Sequence, residues 1–182
     1  MAVTTRLTEE TDAAEVAALL RENRDFLEPW EPVRPPEFFT DDGQRRLIRE
    51  TLRQYEAGVT LPHVIVDEGR IVGRIMLTAI ARGPFESCHL GYWVAAAANG
   101  RGVASAAVGR VAGLAFGELG LHRIEAGTLV HNAASQKVLE RNGFRRFGLA
   151  PRYLRIAGEW QDHVLFQLLA DEYSDAGRSG RP

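Results

Sequence analysis

The sequence predicts a mixed α/β (α+β) fold, and three observations carry that reading. Strand-like and helix-periodic segments alternate along the chain instead of segregating into separate halves. Residues 63–94 read as consecutive strands with short turn signals between them. A glycine-rich turn, Asn99-Gly100-Arg101-Gly102, then joins a strand to a long alanine-rich helical stretch.

Residues 3–7 form a short first strand. Thr11 or Asp12 is placed to cap a helix whose Val16, Ala17, Leu19 and Leu20 fall at helical spacing. Pro29, Pro32, Pro35 and Pro36 break regular structure and stiffen a loop over 27–36, because proline lacks an N–H and fixes φ. A second helix is predicted over 41–57, with Leu47, Ile48, Leu52 and Tyr55 on its buried side. Residues 63–66 and 70–79 make a hairpin turned at Asp67-Glu68-Gly69, and 87–94 add another strand. The helix from 103 to 118 buries Val103, Val108, Val111, Leu114 and Ala115, and Gly120 ends it. Gly109 and Gly113 are read as allowing close packing on the sheet. Strand 122–129, a short helix over 133–141 ended by Asn142-Gly143, and strands 144–148 and 162–169 complete the set. The result is a single domain over 1–170, then a small polar tail over 171–182 read as disordered.

Composition bounds the function. A chain of 182 residues can bury a substantial core as one domain. A net charge of −2 gives no basic field, which argues against direct nucleic-acid binding. No apolar run approaches the ~18 residues of a spanning helix, so no membrane segment is expected. The single cysteine, Cys88, excludes an internal disulfide and suits a reducing compartment, so the expected location is the cytoplasm. The five histidines show no metal-ligand spacing, and no metal is expected.

The turn Asn99-Gly100-Arg101-Gly102-Val103-Ala104 is the strongest chemical signal. A glycine-rich turn at a helix start presents unpaired N–H groups and the positive end of the helix dipole, a geometry that binds phosphate. The same pattern also serves as a plain tight connection. It is neither a P-loop, which needs Gly-Lys-Ser/Thr after four spacers, nor a dinucleotide fingerprint, which needs a third glycine.

Several separated segments resemble one family. They are Leu27-Glu28-Pro29-Trp30, Gly91-Tyr92-Trp93-Val94, the loop at Asn99–Ala104, Leu121-His122-Arg123-Ile124-Glu125-Ala126, Asn132-Ala133-Ala134-Ser135, Glu140-Arg141-Asn142-Gly143-Phe144, Tyr153-Leu154 and Trp160-Gln161-Asp162-His163-Val164. In this order they resemble the GNAT acetyltransferases, specifically the RimJ-type ribosomal-protein-alanine N-acetyltransferases, over residues 2 to 170. The resemblance implies the GNAT fold: a mixed, mostly antiparallel sheet of seven strands flanked by four helices. It also implies acetyl-CoA as co-substrate. The family's pyrophosphate loop is Gln/Arg-x-x-Gly-x-Gly/Ala, which Gly102 and Ala104 fit, while Asn99 stands where glutamine or arginine is usual.

On that resemblance, residues Asn99, Gly100, Arg101, Gly102, Val103, Ala104 and Ser105 hold the pyrophosphate. The pantetheine lies along the strand ending at Trp93 and Val94, beside backbone freed by a bulge, and the Val94 amide binds the carbonyl. Asn132 can cap the helix beginning at Ala133, and the family adds a hydrogen bond to pantetheine; the two roles are compatible. Ser135, by itself a first-turn serine with a local capping role, becomes the proton donor to the CoA thiolate. Many relatives place a tyrosine where this chain has Leu139, and some place a glutamate where it has Arg152. The general base is therefore open: Glu28, on the proline-stiffened loop, is the nearest candidate, with Trp30 beside it as an acceptor contact. Asp162 and His163 read as structural partners on a late strand.

Acceptor chemistry bears on the missing base. A protein α-amine titrates ~2.6 pH units below a lysine amine, a difference of roughly 3.5 kcal/mol in deprotonation cost. The expected acceptor is a protein N-terminus, such as that of a ribosomal protein. A small-molecule amine is the alternative, and a CoA-binding module without catalysis a third. A monomer or a homodimer fits equally.

Overall fold

The computed structural model describes residues 3–173. A seven-stranded sheet forms its centre: β1 Thr4–Leu7, β2 Leu61–Asp67, β3 Arg70–Ala81, β4 Ser87–Val94, β5 Arg123–Leu129, β6 Arg145–Ile156 and β7 Glu159–Leu169. The spatial order is β1-β2-β3-β4-β5-β7-β6. Every neighbouring pair is antiparallel except β4 with β5. Helices α1 Ala13–Glu22, α2 Arg24–Leu27 and α3 Asp41–Glu56 cover one face, and α4 Val103–Gly117 with α5 Ala133–Arg141 cover the other. The α/β fold and mostly antiparallel sheet are as predicted; the one-turn α2 is an addition to the four predicted helices.

Two cores result. On the α4 side, Ile75, Leu77, Leu90, Ile124, Phe166 and Leu168 of the sheet pack with Val108, Val111 and Ala115 of α4 and Leu139 of α5. On the α1 side, Val16 and Leu20 pack with Leu27, Val64 and Ile71. Alternation sends successive side chains to opposite cores, and the register shift between Ile65 and Val66 leaves an extra residue on β3, so Ile71 faces the α1 side while Ile75 and Leu77 face the other.

Several predicted details change. Asp12 precedes α1 but makes no cap bond. Its carboxylate instead accepts from both Arg6 guanidinium nitrogens (2.7 and 2.8 Å) and from the Glu9 amide (2.8 Å), because Arg6 on β1 lies within reach and offers charge-assisted bonds. On α3 the buried stripe is Gln44 and Ile48, while Leu47 and Tyr55 are 39% and 38% exposed. The proline segment is not without regular structure: Glu28–Trp30 and Pro36–Phe39 are 3₁₀ turns with proline in the first turn, where its missing N–H costs nothing. Gly109 and Gly113 face away from the sheet: a Cβ there would meet Asn142 Oδ1 at 3.0 Å and the Tyr173 hydroxyl at 3.2 Å. β6 and β7 are longer than predicted and join in a tight hairpin at Ala157-Gly158, both at positive φ. Residues 170–173 form a helical turn rather than the start of a tail, with Glu172 bridged to Arg145 (3.3 Å) and the Tyr173 ring 5.2 Å from Phe116. The rest of the predicted tail, 174–182, lies outside the described residues.

The feature that matters for function is the parting of β4 and β5. They pair over only Ser87–His89 and Arg123–Glu125. Beyond that, β4 stays with β3 as far as Val94 and β5 stays with β7 as far as Leu129. The sheet therefore opens there, and β4 keeps an unpaired edge. The opening was expected from a bulge in the strand ending at Val94; in the ladders of β2, β3 and β4 the irregularities lie instead between Ile65 and Val66 and between Thr78 and Ala81, and the free edge comes from divergence of a short parallel ladder.

Candidate active site

The Trp93–Val94 peptide stands at this opening. A Cβ built on Gly73 of β3 would sit 2.2 Å from the Trp93 carbonyl oxygen, so that carbonyl faces β3. The Ala95 amide also faces β3, donating to the Val72 carbonyl at 2.8 Å. Successive residues of a strand point their polar groups to opposite edges, so the Val94 N–H between them faces the opening.

Past β4 the chain makes the turn Ala96–Ala98 and enters the glycine-rich loop. The Ala96 amide donates to Asn23 Oδ1 (2.8 Å), and Asn23 Nδ2 donates to the Leu19 carbonyl (2.8 Å), which ties the loop to the end of α1. Gly100 and Gly102 have φ of +74° and +79°, and a Cβ at either would meet nothing within 4 Å. Glycine is thus required here by backbone conformation, and the space over the loop is open. The first backbone bond into α4 runs from the Ala106 amide to the Gly102 carbonyl (3.0 Å), which leaves the amides of Val103, Ala104 and Ser105 without acceptors. The Asn99 side chain is engaged locally, its Oδ1 accepting from the Gly100 amide (3.0 Å). Arg101 reaches back to Asp67 at the β2–β3 turn (3.1 Å), so its charge is partly matched within the protein. Ser105 Oγ accepts from Asn142 Nδ2 (3.1 Å), locking α4 to the end of α5.

On the same face, α5 begins at the opening. Asn132 is its N-cap, with Oδ1 accepting from the Ser135 amide at 3.0 Å. Ser135 Oγ lies 2.9 Å from the Tyr92 hydroxyl, which is also 3.2 Å from the Ser135 carbonyl. Burial pushes the Tyr92 phenol up to about 12, against the smaller opposite effect of its bond to Ser135. Tyr92 therefore stays protonated at neutral pH. Sequence reasoning gave Tyr92 no role, although its alternation with Cys88 and Leu90 marks it as facing α4 and α5. Leu139 is fully buried in the core.

A cavity of about 880 Å³ opens on the opposite face. Met76, Thr78 and Arg74 of β3, His89, Gly91 and Trp93 of β4, and Leu47 and Thr51 of α3 line it, and the loop from Leu27 to Arg34 closes it. Leu47, exposed on its helix, is thus a wall of this cavity. Glu28 lines it; Trp30 is not part of that lining, and its ring lies 5.5 Å from that of His131, next to Asn132 at the start of α5. The Glu31 carbonyl accepts from the Ala157 amide (2.9 Å), which anchors the loop to the β6–β7 turn. Gln44 and Arg74 were also missed; a charged residue inside the apolar run Ile71–Leu77 was the available signal.

The late-strand polar residues are structural. Asp162 Oδ1 accepts from the Arg152 amide (2.8 Å), holding Arg152 at φ +48° in an irregular stretch of β6. His163 is buried, with Nδ1 3.0 Å from the Gln161 carbonyl. Among the described residues no three His, Cys, Asp or Glu side chains converge as for a metal, and no helix is long and apolar enough to cross a membrane.

Comparisons with known proteins agree with this geometry. Residues 3–145 match the Acetyltransferase (GNAT) domain family. The chain is 38% identical over 163 residues to the probable N-acetyltransferase YjcK of Bacillus subtilis, covering 88% of this chain and 90% of that protein. It is 36% identical over 175 residues to the ribosomal protein uS5-alanine N-acetyltransferase of Escherichia coli, covering 93% and 88%. Its structure matches Mycobacterium smegmatis RimJ in complex with CoA-disulfide at a TM-score of 0.89 and 32% identity, over 97% of this chain and 90% of that one. With a family match over most of its length and such relatives along nearly all of it, this chain belongs to the GNAT acetyltransferase family and is an N-acetyltransferase of the RimJ-like kind.

Proposed function

We propose that the protein acetylates the α-amino group of a protein or peptide, with acetyl-CoA as acyl donor, by direct attack while both substrates are bound. The observation that carries this reading is access to β4 from two sides. The unpaired amides of α4 and the Tyr92–Ser135 pair lie on one face, and the 880 Å³ cavity lies on the other. Tyr92 itself also lines the cavity, which follows β4 from His89 to Trp93, beyond the last residue paired with β5.

The residues present fit CoA. Amides without acceptors, a helix dipole and open space over Gly100 and Gly102 suit a pyrophosphate. We assign residues 99–105 to it, with Trp93, Val94, Asn132 and Ser135 along the pantetheine. The CoA-disulfide bound by the Mycobacterium smegmatis relative supports this assignment.

Acetyl-CoA supplies the acyl group as a thioester. The acceptor nitrogen forms a bond to the acyl carbon and the carbon–sulfur bond breaks. The Val94 N–H, facing the opening, donates to the acyl oxygen as charge builds there. Ser135 Oγ gives its proton to the departing sulfur and regains one from the acceptor nitrogen, which sheds its second proton as the amide forms; the Tyr92 hydroxyl, held protonated by burial, orients Ser135 by hydrogen bond. Glu28 orients the incoming ammonium, whose proton passes to solvent. That last step is cheap for an α-amine and costly for a lysine, by ~3.5 kcal/mol.

The cavity volume also suits a small amine, which is the second reading. We place the enzyme in the cytoplasm, since its single thiol is buried and unpaired, and take 1–170 as the catalytic domain, acting as monomer or homodimer. The test is an intact-mass screen of terminal peptides and small amines with acetyl-CoA. Acetylation of peptide α-amines is the expected result. Turnover of small amines alone shifts the reading to the second class, and CoA binding with no turnover on any amine overturns both.

A further inference from the structure

Five charged side chains line the acceptor cavity, and two cations among them, Arg24 and Arg74, form no ion pair among the described residues; Arg24 is exposed to solvent, whereas Arg74 is half-buried. Arg34 bridges to Glu31 (3.0 Å) and lies over the Phe38 ring (4.6 Å). Arg24 lies over the Phe39 ring (4.6 Å). Arg74 has only a neutral partner, donating from Nη1 to Gln44 Oε1 at 3.3 Å. Gln44 is fully buried, and its Nε2 donates to the Phe38 carbonyl, so the amide oxygen that holds Arg74 is itself fixed.

Arg74 sits on β3 opposite Trp93 of β4, beside the place where the two substrates meet. Burial pushes it below the usual arginine value, Glu31 raises it and Arg34 lowers it again. A guanidinium nevertheless stays charged, and Arg74, half-buried with only a neutral hydrogen-bond partner and the more distant charge of Glu31, is under-compensated there. An anion entering the cavity removes that deficit by taking two parallel N–H bonds from the guanidinium fork. Glu28 complements it: it lines the same cavity and has no ion-pair partner among the described residues. One wall thus suits an ammonium and another a carboxylate.

We propose that Arg74 sets acceptor specificity, and that the amine this cavity selects carries a carboxylate near its amino group. The proposal rests on the reading of this cavity as the acceptor site. The carboxylate has two possible sources, an acidic side chain early in a peptide or the terminal carboxylate of a very short acceptor. Gln44 is then a positioning residue for Arg74.

The experiment measures binding and transfer separately. Calorimetry in the presence of CoA compares Ala-Glu-Gly-Gly-amide and Ala-Gly-Glu-Gly-amide with their glutamine counterparts, and the dipeptide Ala-Gln as free acid with its amide. Binding of at least one carboxylate probe about tenfold or more tighter than its neutral partner is expected, since a site built for a charged group rejects the analogue lacking it. The probe that shows the preference identifies the source. Arg74→Met should bring each pair to within about twofold, and Arg74→Lys should restore part of the difference, because a point charge remains without the fork. Equal binding of every pair by the wild-type protein overturns the proposal, and that comparison needs no variant to fold. Transfer from acetyl-CoA to the same probes is scored independently. A carboxylate preference in binding without transfer to any probe leaves Arg74 as the carboxylate-binding residue of this cavity and counts against the peptide α-amine as acceptor. Transfer without preference does the reverse.

Discussion

Replacing Gly73 with alanine tests whether the Trp93–Val94 peptide is the part of the site that polarises the acyl group. The added Cβ would lie 2.2 Å from the Trp93 carbonyl oxygen and 2.9 Å from Val94 Cα. Side-chain carbons essentially never approach closer than 3.0 Å, so the strands must separate by about 0.8 Å at this point. β3 is held on its far side by β2 through Asp67↔Arg70, whereas β4 has no β5 partner beyond His89. The movement is therefore taken by β4. The Trp93 C=O and the Val94 N–H belong to one peptide plane, so pushing the oxygen moves the hydrogen-bond donor with it. Misplacing a catalytic donor by close to 1 Å costs about 10²-fold in rate. Gly73→Ala should lower kcat by about that factor, with a stability loss of about 1–3 kcal/mol from the strand displacement. Gly148→Ala on β6 is the control, because its Cβ would meet Leu165 at an ordinary 3.8 Å and should leave kcat unchanged. The assay is steady-state acetylation at saturating acetyl-CoA, with folding followed by thermal melts. Wild-type kcat in a folded Gly73→Ala protein would refute the assignment of the Val94 amide.

Three further outcomes follow from other parts of the structure. Gly102→Val places a β-branched residue at φ +79° and fills the open space over the loop, and should raise the acetyl-CoA dissociation constant about tenfold or more by calorimetry; unchanged affinity would remove the phosphate-loop assignment. Ser135→Ala should lower kcat roughly ten- to a thousandfold with acetyl-CoA affinity near normal, and Tyr92→Phe should lower it less; a Ser135→Ala enzyme with full kcat, with chemistry shown to be rate-limiting, reduces Ser135 to its place in the helix cap. Asp12→Asn should cost about 1–2 kcal/mol at pH 7, discounted for the 43% exposure of Arg6. Burial raises the Asp12 carboxyl, but the bonds from Arg6 and the Glu9 amide outweigh it and hold it below its ordinary value. The stabilisation is therefore present above the unfolded pKa of ~3.9 and fades as pH falls through the folded value. Urea unfolding at pH 7 and again below about pH 3 should show the gap between the two proteins closing; an equal gap at both would exclude the ion pair as its cause.

What the residues determine by themselves is local. Alternation in Ser87–Val94 and the 3.6-residue spacing of Val103, Val108 and Val111 specify a strand and a helix wherever they sit, because each pattern presents one apolar face. The loop between them was legible for the same reason: Gly100 and Gly102 adopt positive φ irrespective of their neighbours, and the unpaired amides follow from any helix start. Asn132 as an N-cap was equally local. The misread features were those settled by residues distant in sequence. Asp12 left its cap for Arg6 on another element, and on α3 Ile48 is buried as expected while Leu47 and Tyr55 give way to Gln44, since only the sheet beneath the helix fixes which stripe turns inward. Tyr92 meets Ser135 across 43 residues, and Arg74 meets Gln44 across 30. The opening between β4 and β5 depends on where a three-residue ladder stops, which is decided by the competing hold of β3 on one strand and β7 on the other. The chain's own residues set the donors and the charges; the parting of two strands sets where they converge.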